Sequence, residues 1–189
     1  MLVPTGVGES RELEPGPITN FSTMVSWLGD GQRIAFIANE RGKPTRVFLQ
    51  HVSGGPPDAL SAEGTEGPLA VSPDSTLIVA RGPGGQLWKF PVDRSAPTVL
   101  GGSSRGDRPL AWSADRRSIW VWNRTTTPAQ IFRIELSSGK RIHWRDVPFP
   151  DPAAMEIGSL RLVMSGDGTK LVYGYVRRLS ELYVAEGLK

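Results

Sequence analysis

The chain contains no cysteine among its 189 residues. Disulfides, thiolate zinc sites and cysteine catalysis are thereby excluded, although the compartment is not fixed by this. Histidine is nearly absent too. His51 and His143 stand far apart, neither has a second His at metal-ligand spacing, and both read as structural side chains. No apolar run approaches the roughly 18 residues that a membrane helix needs. The opening residues 1–10 lack the basic-then-apolar order of a signal peptide, so none is expected in them. Lysine is scarce as well, with 5 Lys against 17 Arg and a net charge of +3. No block of like charges occurs, so the excess reads as a solvated, Arg-rich surface rather than a nucleic-acid-binding face.

Turn formers are abundant instead. The 22 Gly and 16 Pro make up about a fifth of the chain, well above the usual share of roughly 12%. Hydrophobic residues at 39%, including six Trp, still suffice for a core. The length suits one domain, or at most two small ones.

Four segments repeat. They are Val25-Ser-Trp-Leu-Gly-Asp-Gly-Gln-Arg-Ile-Ala-Phe36, Leu69-Ala-Val-Ser-Pro-Asp-Ser-Thr-Leu-Ile-Val79, Leu110-Ala-Trp-Ser-Ala-Asp-Arg-Arg-Ser-Ile-Trp120 and Leu162-Val-Met-Ser-Gly-Asp-Gly-Thr-Lys-Leu-Val172. Each is an apolar run, a turn around an Asp, and a second apolar run. The anchors Asp30, Asp74, Asp115 and Asp167 lie 44, 41 and 52 residues apart. A third element follows each anchor at an offset of 17, 13, 16 or 15 residues, beginning at Val47, Leu87, Ile131 and Leu182. A weaker fourth closes three of the units, at Asp58–Leu60, Pro97–Leu100 and Lys140–Trp144. An Asp carboxylate accepts hydrogen bonds from the backbone of its own turn, so the four Asp are expected to be turn caps. Gly31 and Gly168 supply positive φ without steric cost. At Ser75 and Arg116 the Gly is replaced, so those two turns are expected in a conformation open to any residue.

The second strand of each unit is apolar nearly throughout, as in Ile34–Ala38 and Ile119–Trp122, which requires cover on both faces. A period of 41–52 residues with about four strands per unit points to an all-β β-propeller of four recognisable blades. A flat sandwich is the alternative, but it has no need of the period. The division is an N-terminal segment 1–20, then blades at 21–61, 62–102, 103–147 and 148–189, all in one domain. Little helix is expected. The best candidate, Asp151–Ile157, supports a turn or two. The last unit stops after its third strand, and Ser10–Glu14 is free to supply the fourth by pairing with residues 181–186. Alternatively these are the C-terminal blades of a larger propeller, and an incomplete set would be prone to self-association.

The Trp/Val-Ser-x-Asp-Gly turn, the apolar strand after it and the closing Leu182-Tyr-Val184 resemble the WD-repeat-like propeller repeat of TolB. The same repeat resembles the propellers of prolyl oligopeptidase relatives and the C-terminal sensor-like propellers of bacterial serine/threonine kinases. The resemblance covers about residues 21–189, and departs from the pattern at Ser75 and Arg116. It implies a binding, sensing or protein-interaction module of a larger bacterial protein on the periplasmic or extracytoplasmic side. An accessory propeller of a peptidase and a Tol-type protein are the other readings it leaves.

No catalytic motif accompanies the repeat. His143-Trp-Arg-Asp146 is not the His-Arg-Asp of kinases. Gly102-Ser-Ser-Arg-Gly106 matches Gly-x-Ser-x-Gly, but a strand rather than a helix is expected after it, so Ser104 is not read as a nucleophile. Gly82–Gly85 lacks the Lys and Ser/Thr of a phosphate loop and reads as a tight turn. The chain is therefore read as non-enzymatic, with no cofactor. One functional pattern stands out. An Arg follows the second strand of every unit: Arg41, Arg81, Arg124 and Arg177. Loops are polar and this chain favours Arg, which accounts for the pattern without function. The functional alternative is a basic rim for an anionic ligand or a partner's acidic segment. Arg105 and Arg108 would add to its field, and Glu63, Glu66 and Asp107 would partly cancel it.

Overall fold

The computed structural model describes residues 1–123, 125–126, 128–148 and 160–176. These form fourteen strands and one 3-10 turn, Pro83–Gly85. The first sheet is β1 (Ile18–Trp27), β2 (Arg33–Glu40), β3 (Arg46–His51) and β4 (Asp58–Ala59). The second is β5 (Glu66–Val71), β6 (Leu77–Arg81), β7 (Leu87–Pro91) and β8 (Thr98–Val99). The third is β9 (Asp107–Trp112), β10 (Ser118–Asn123), β11 (Ala129–Glu135) and β12 (Arg141–Val147). Strands in each sheet are neighbours in chain order and antiparallel. A hairpin of β13 (Arg161–Met164) and β14 (Leu171–Gly174) opens the fourth unit. These are the blades of a β-propeller. The helix candidate Asp151–Ile157 and the strand expected at 181–186 lie outside the described residues.

Every Asp anchor sits in the hairpin between a blade's first two strands. The backbone N–H of Gly31, Ser75, Arg116 and Gly168 donates to the carbonyl three residues earlier, at 2.8–3.0 Å. The expectation for two of these turns is corrected. Ser75 and Arg116 both have φ 60°, the same left-handed conformation as Gly31 at 65° and Gly168 at 72°. The turn and the flanking ladder dictate that conformation whatever residue occupies it, and a non-Gly residue bears a strain of about 1–2 kcal/mol there. Ser75 offsets part of this, because its Oγ accepts a hydrogen bond from the backbone N–H of Gly29 in the preceding blade. Arg116 is exposed and offers only a 3.3 Å ion pair to Asp74. Arg116→Gly is therefore expected to stabilise the fold by about 0.5–1 kcal/mol, measured as a rise in Tm.

The cores lie between blades, not within them. Ile37, Val47 and Leu49 of the first blade meet Leu69, Ile78 and Phe90 of the second. Val79, Leu87 and Leu100 then meet Trp112, Ile119 and Val121 of the third. Trp120, Trp122 and Ile131 meet Leu160 and Met164 of the fourth unit. The second strands contribute to the cores on both sides, hence their unbroken apolarity: β10 is buried at all six positions.

The other face of the first blade carries a matching apolar set, Ile18, Ile34, Phe36, Ala38 and Phe48. Leu13 of the N-terminal segment packs against it. That segment is held by a hydrogen bond from Gln50 Nε2 to the Glu14 carbonyl at 2.7 Å and by one from Arg11 to the Val52 carbonyl. Residues 10–14 join none of the described sheets, and Arg11 makes a lone bridge with Leu2. Phe21, Val25 and Trp27 remain more than half exposed on β1.

Candidate functional site

The Asp turns form a continuous row at one end. Gly29 bonds to Ser75, Arg116 pairs with Asp74, and Ala114 N–H donates to the Gly166 carbonyl at 3.0 Å. Each carboxylate is occupied by its own turn. Asp74 accepts from Ser72 Oγ at 2.6 Å, Thr76 Oγ1 at 2.8 Å and Thr76 N–H at 3.2 Å. Asp115 and Asp167 accept from Ser113 Oγ and Ser165 Oγ at 2.6 and 2.5 Å. Leu28 takes the place of that Ser in the first turn, and Arg33 Nε reaches Asp30 instead, at 2.7 Å.

These donors hold the carboxyls below their ordinary values. Asp74 falls from 3.8 to about 2, chiefly through the Ser72 and Thr76 hydroxyls. A folded pKa below the unfolded one stabilises the native state above the unfolded value, and that contribution is lost as pH falls through the folded one. The Asp74 contribution is thus present above pH 4 and lost between about pH 4 and 2. Asp74→Asn should flatten the decline of Tm with pH across that window.

The opposite end gathers the loops between second and third strands and those between blades. Arg41 is exposed there and forms no ion pair among the described residues. Arg81 is half-buried and paired with Glu66 on the neighbouring strand. Arg124 and Arg177 lie outside the described residues. The charges expected to weaken this rim are differently placed. Asp107 does not face solvent: it is fully buried and paired with Arg141. Glu66 is engaged by Arg81. Arg105 donates from Nε to the Gly84 carbonyl at 3.0 Å. Ser104 lies in the loop before β9, its N–H donating to Asp107 Oδ2 at 2.7 Å, with no helix after it.

What the repeat did not reveal is a cavity of about 670 Å³ at this end, where the first strands of all four units converge. Arg108 and Arg161 line it from adjacent blades, with Glu66 from a third. Arg108 Nη1 donates to the Gly67 carbonyl at 2.6 Å, and Arg161 Nη1 to the Leu160 carbonyl at 3.1 Å. The rest of the lining is largely apolar, including Met24, Pro68, Leu110 and Trp122.

Each of the three complete blades breaks its inner ladder at this place. The register jumps between Phe21 and Val25, between Glu66 and Leu69, and between Pro109 and Ala111. Ser22, Met24, Gly67, Pro68 and Leu110, which these jumps leave out of register, are cavity-lining residues. Bulges re-aim side chains, and here they turn one stretch of three strands toward a common space. Sequence reading misses this because a bulge leaves no residue signature; the nearest cue is Pro68 and Pro109, each directly before the aligned Leu.

The sheets, their antiparallel chain-order pairing and the inter-blade cores define a β-propeller, and its fold is similar to that of TolB structures. A structure from Agrobacterium tumefaciens assigned as TolB is similar with a TM-score of 0.64 at 19% identity, over 85% of this chain and 67% of that one. TolB from Acinetobacter baumannii is similar with a TM-score of 0.58 at 20% identity, over 87% of this chain and 38% of that one. A prolyl endopeptidase structure reaches 0.52 at 17% identity, over 85% of this chain and 26% of that one. The chain thus spans about two thirds of one TolB structure and well under half of the other. No family profile matches it, and no curated protein does.

Proposed function

We propose that this chain is a non-enzymatic interaction module that receives an acidic segment of a protein or peptide partner at the end opposite the Asp turns. The observation that carries this reading is the cavity there, built by bulges in three blades and lined by Arg108 and Arg161. A concave, mostly apolar space with a few polar groups is what ligand sites share. The exposed Arg41, and Arg81, Arg124 and Arg177 as proposed members of a basic rim, would draw an acidic segment toward it.

In this reading the propeller serves a larger bacterial protein on the extracytoplasmic side, such as a receptor-type serine/threonine kinase, whose ligand it senses. The TolB-like fold supports a Tol-type protein equally, and the prolyl endopeptidase similarity supports an accessory peptidase propeller. The full reading frame separates them: a kinase domain and membrane helix upstream, an α/β-hydrolase domain, or neither.

Binding is tested by calorimetric titration of acidic and neutral peptides at low salt. Acidic peptides should bind, and their affinity should fall as ionic strength passes about 0.1 M, where the screening length is near 10 Å. Arg41→Ser should weaken binding and reduce its salt dependence. Failure of every peptide to bind would overturn the reading.

A further inference from the structure

We infer that two copies of this chain join head to tail, the fourth unit of one seating Val163 and Val172 on a stripe of Phe21, Val25 and Trp27 on the other's first blade. Packing between blades has one direction in this chain. At the third residue before the Asp anchor, Val71, Trp112 and Met164 pack in the core shared with the preceding blade. At the fifth residue after the anchor, Ala35, Val79 and Trp120 pack in the core shared with the following one. The same positions in the two end units are apolar but open. Trp27 is 54% exposed where Trp112 and Met164 are each 6% exposed. Val172 is 69% exposed where Ala35 and Val79 are fully buried. Each end of the stack thus carries one half of a contact that the chain already makes between its own blades.

Neighbouring residues extend both halves. Val25 and Trp27 lie opposite Phe36 and Ile34 in the ladder, and Phe21 lies opposite Ala38, so all three share the face of that apolar set. Val163 lies opposite Val172 and shares its face. On the first blade, Leu13 of the N-terminal segment packs against the cluster of Ile34, Phe36 and Phe48, while the β1 stripe stays exposed. The open surface is therefore confined to the innermost strand, and the occupant must bring its apolar side chains there. The fourth unit does so, because its exposed Val163 and Val172 stand on β13 and β14, its first two strands. The two faces differ, so the contact is heterologous, each copy offering one half. Both halves are apolar, so the driving force is removal of that surface from water. Three side chains against two fall short of the roughly 1,200 Å² of a stable interface, which makes the contact weak and visible only at high concentration.

The experiment is sedimentation velocity of the intact chain and of two variants, Trp27→Glu and Val172→Glu. Both positions are more than half exposed, so the fold should survive a charge there, and an unchanged Tm checks this. The intact chain should be monomeric near 1 µM and associate at about 200 µM, as a weak contact requires. Each variant alone should stay monomeric at about 200 µM, because it lacks one half of the contact. An equimolar mixture of the two should recover association and stop at pairs, since the sound fourth unit of Trp27→Glu meets the sound first blade of Val172→Glu. A monomeric intact chain at that concentration overturns the inference. So does undiminished association of Val172→Glu alone, which would mean that first blades pair with each other, and so does a mixture that stays monomeric. Neither Trp27 nor Val172 lines the cavity, so failure here leaves the peptide-binding reading standing.

Discussion

Arg141→Leu is expected to destabilise the fold by about 3–5 kcal/mol, the cost of stranding a buried charge. Asp107 is fully buried at the start of β9. Its carboxylate accepts Arg141 Nη1 at 2.5 Å and Nη2 at 3.0 Å, Asn123 Nδ2 at 2.9 Å and Ser104 N–H at 2.7 Å. Arg141 also lies 3.6 Å over the Phe132 ring and donates to the Gly102 carbonyl. One guanidinium thus ties the outermost strand of the third blade to the loop that enters its innermost strand. Removing it leaves a carboxylate without a counter-charge in a buried site. The double variant Asp107→Asn, Arg141→Leu strands no charge and should recover part of the loss. Urea unfolding measures both. A loss below about 1 kcal/mol for the single variant would show that water reaches Asp107 and that the pair behaves as a surface one.

Ile119→Ala is expected to cost about 2–5 kcal/mol, because it opens a cavity in the layer between second and third blades. Ile119 has no exposed surface and sits among Val79, Leu87 and Ile134. Val25→Ser, at an exposed position of the first blade's first strand, should change stability by no more than about 0.5 kcal/mol, since Val25 is 59% exposed. The same type of apolar position thus has opposite consequences depending on whether another blade covers it. Chemical denaturation of the two variants reads this contrast directly. Similar losses for both would mean that Val25 is covered in solution, as self-association through that face would do, and sedimentation at two concentrations would show it.

The repeat was legible because propeller blades impose it locally. The Asp turn needs a carboxylate, two apolar flanks and a short span, all of which sit within about a dozen residues, so Asp30, Asp74, Asp115 and Asp167 could be aligned from residue types alone. The both-faces burial of β10 was legible for the same reason, since Ile119-Trp-Val-Trp122 leaves no polar side to face water. The turn conformation at Ser75 and Arg116 was not legible. Local preference disfavours positive φ for both residues, and the ladder on either side of the turn overrides it.

Charge was harder to read than pattern. A sequence places Asp107 in a loop-facing position, but whether it meets water or Arg141, 34 residues later, depends on how a twisted blade folds its outer edge back. Arg81 aligned with the other post-strand arginines, yet its guanidinium is held by Glu66 of the neighbouring strand. Residue types and spacing determined that this chain makes four-stranded blades capped by Asp turns, because those are short-range demands met within each repeat. Only the tertiary structure decided that bulges in three separate blades open onto one space and that Arg108 and Arg161, 53 residues apart, stand beside it. That convergence is set by stacking of blades around a common axis, a long-range arrangement that no single repeat encodes.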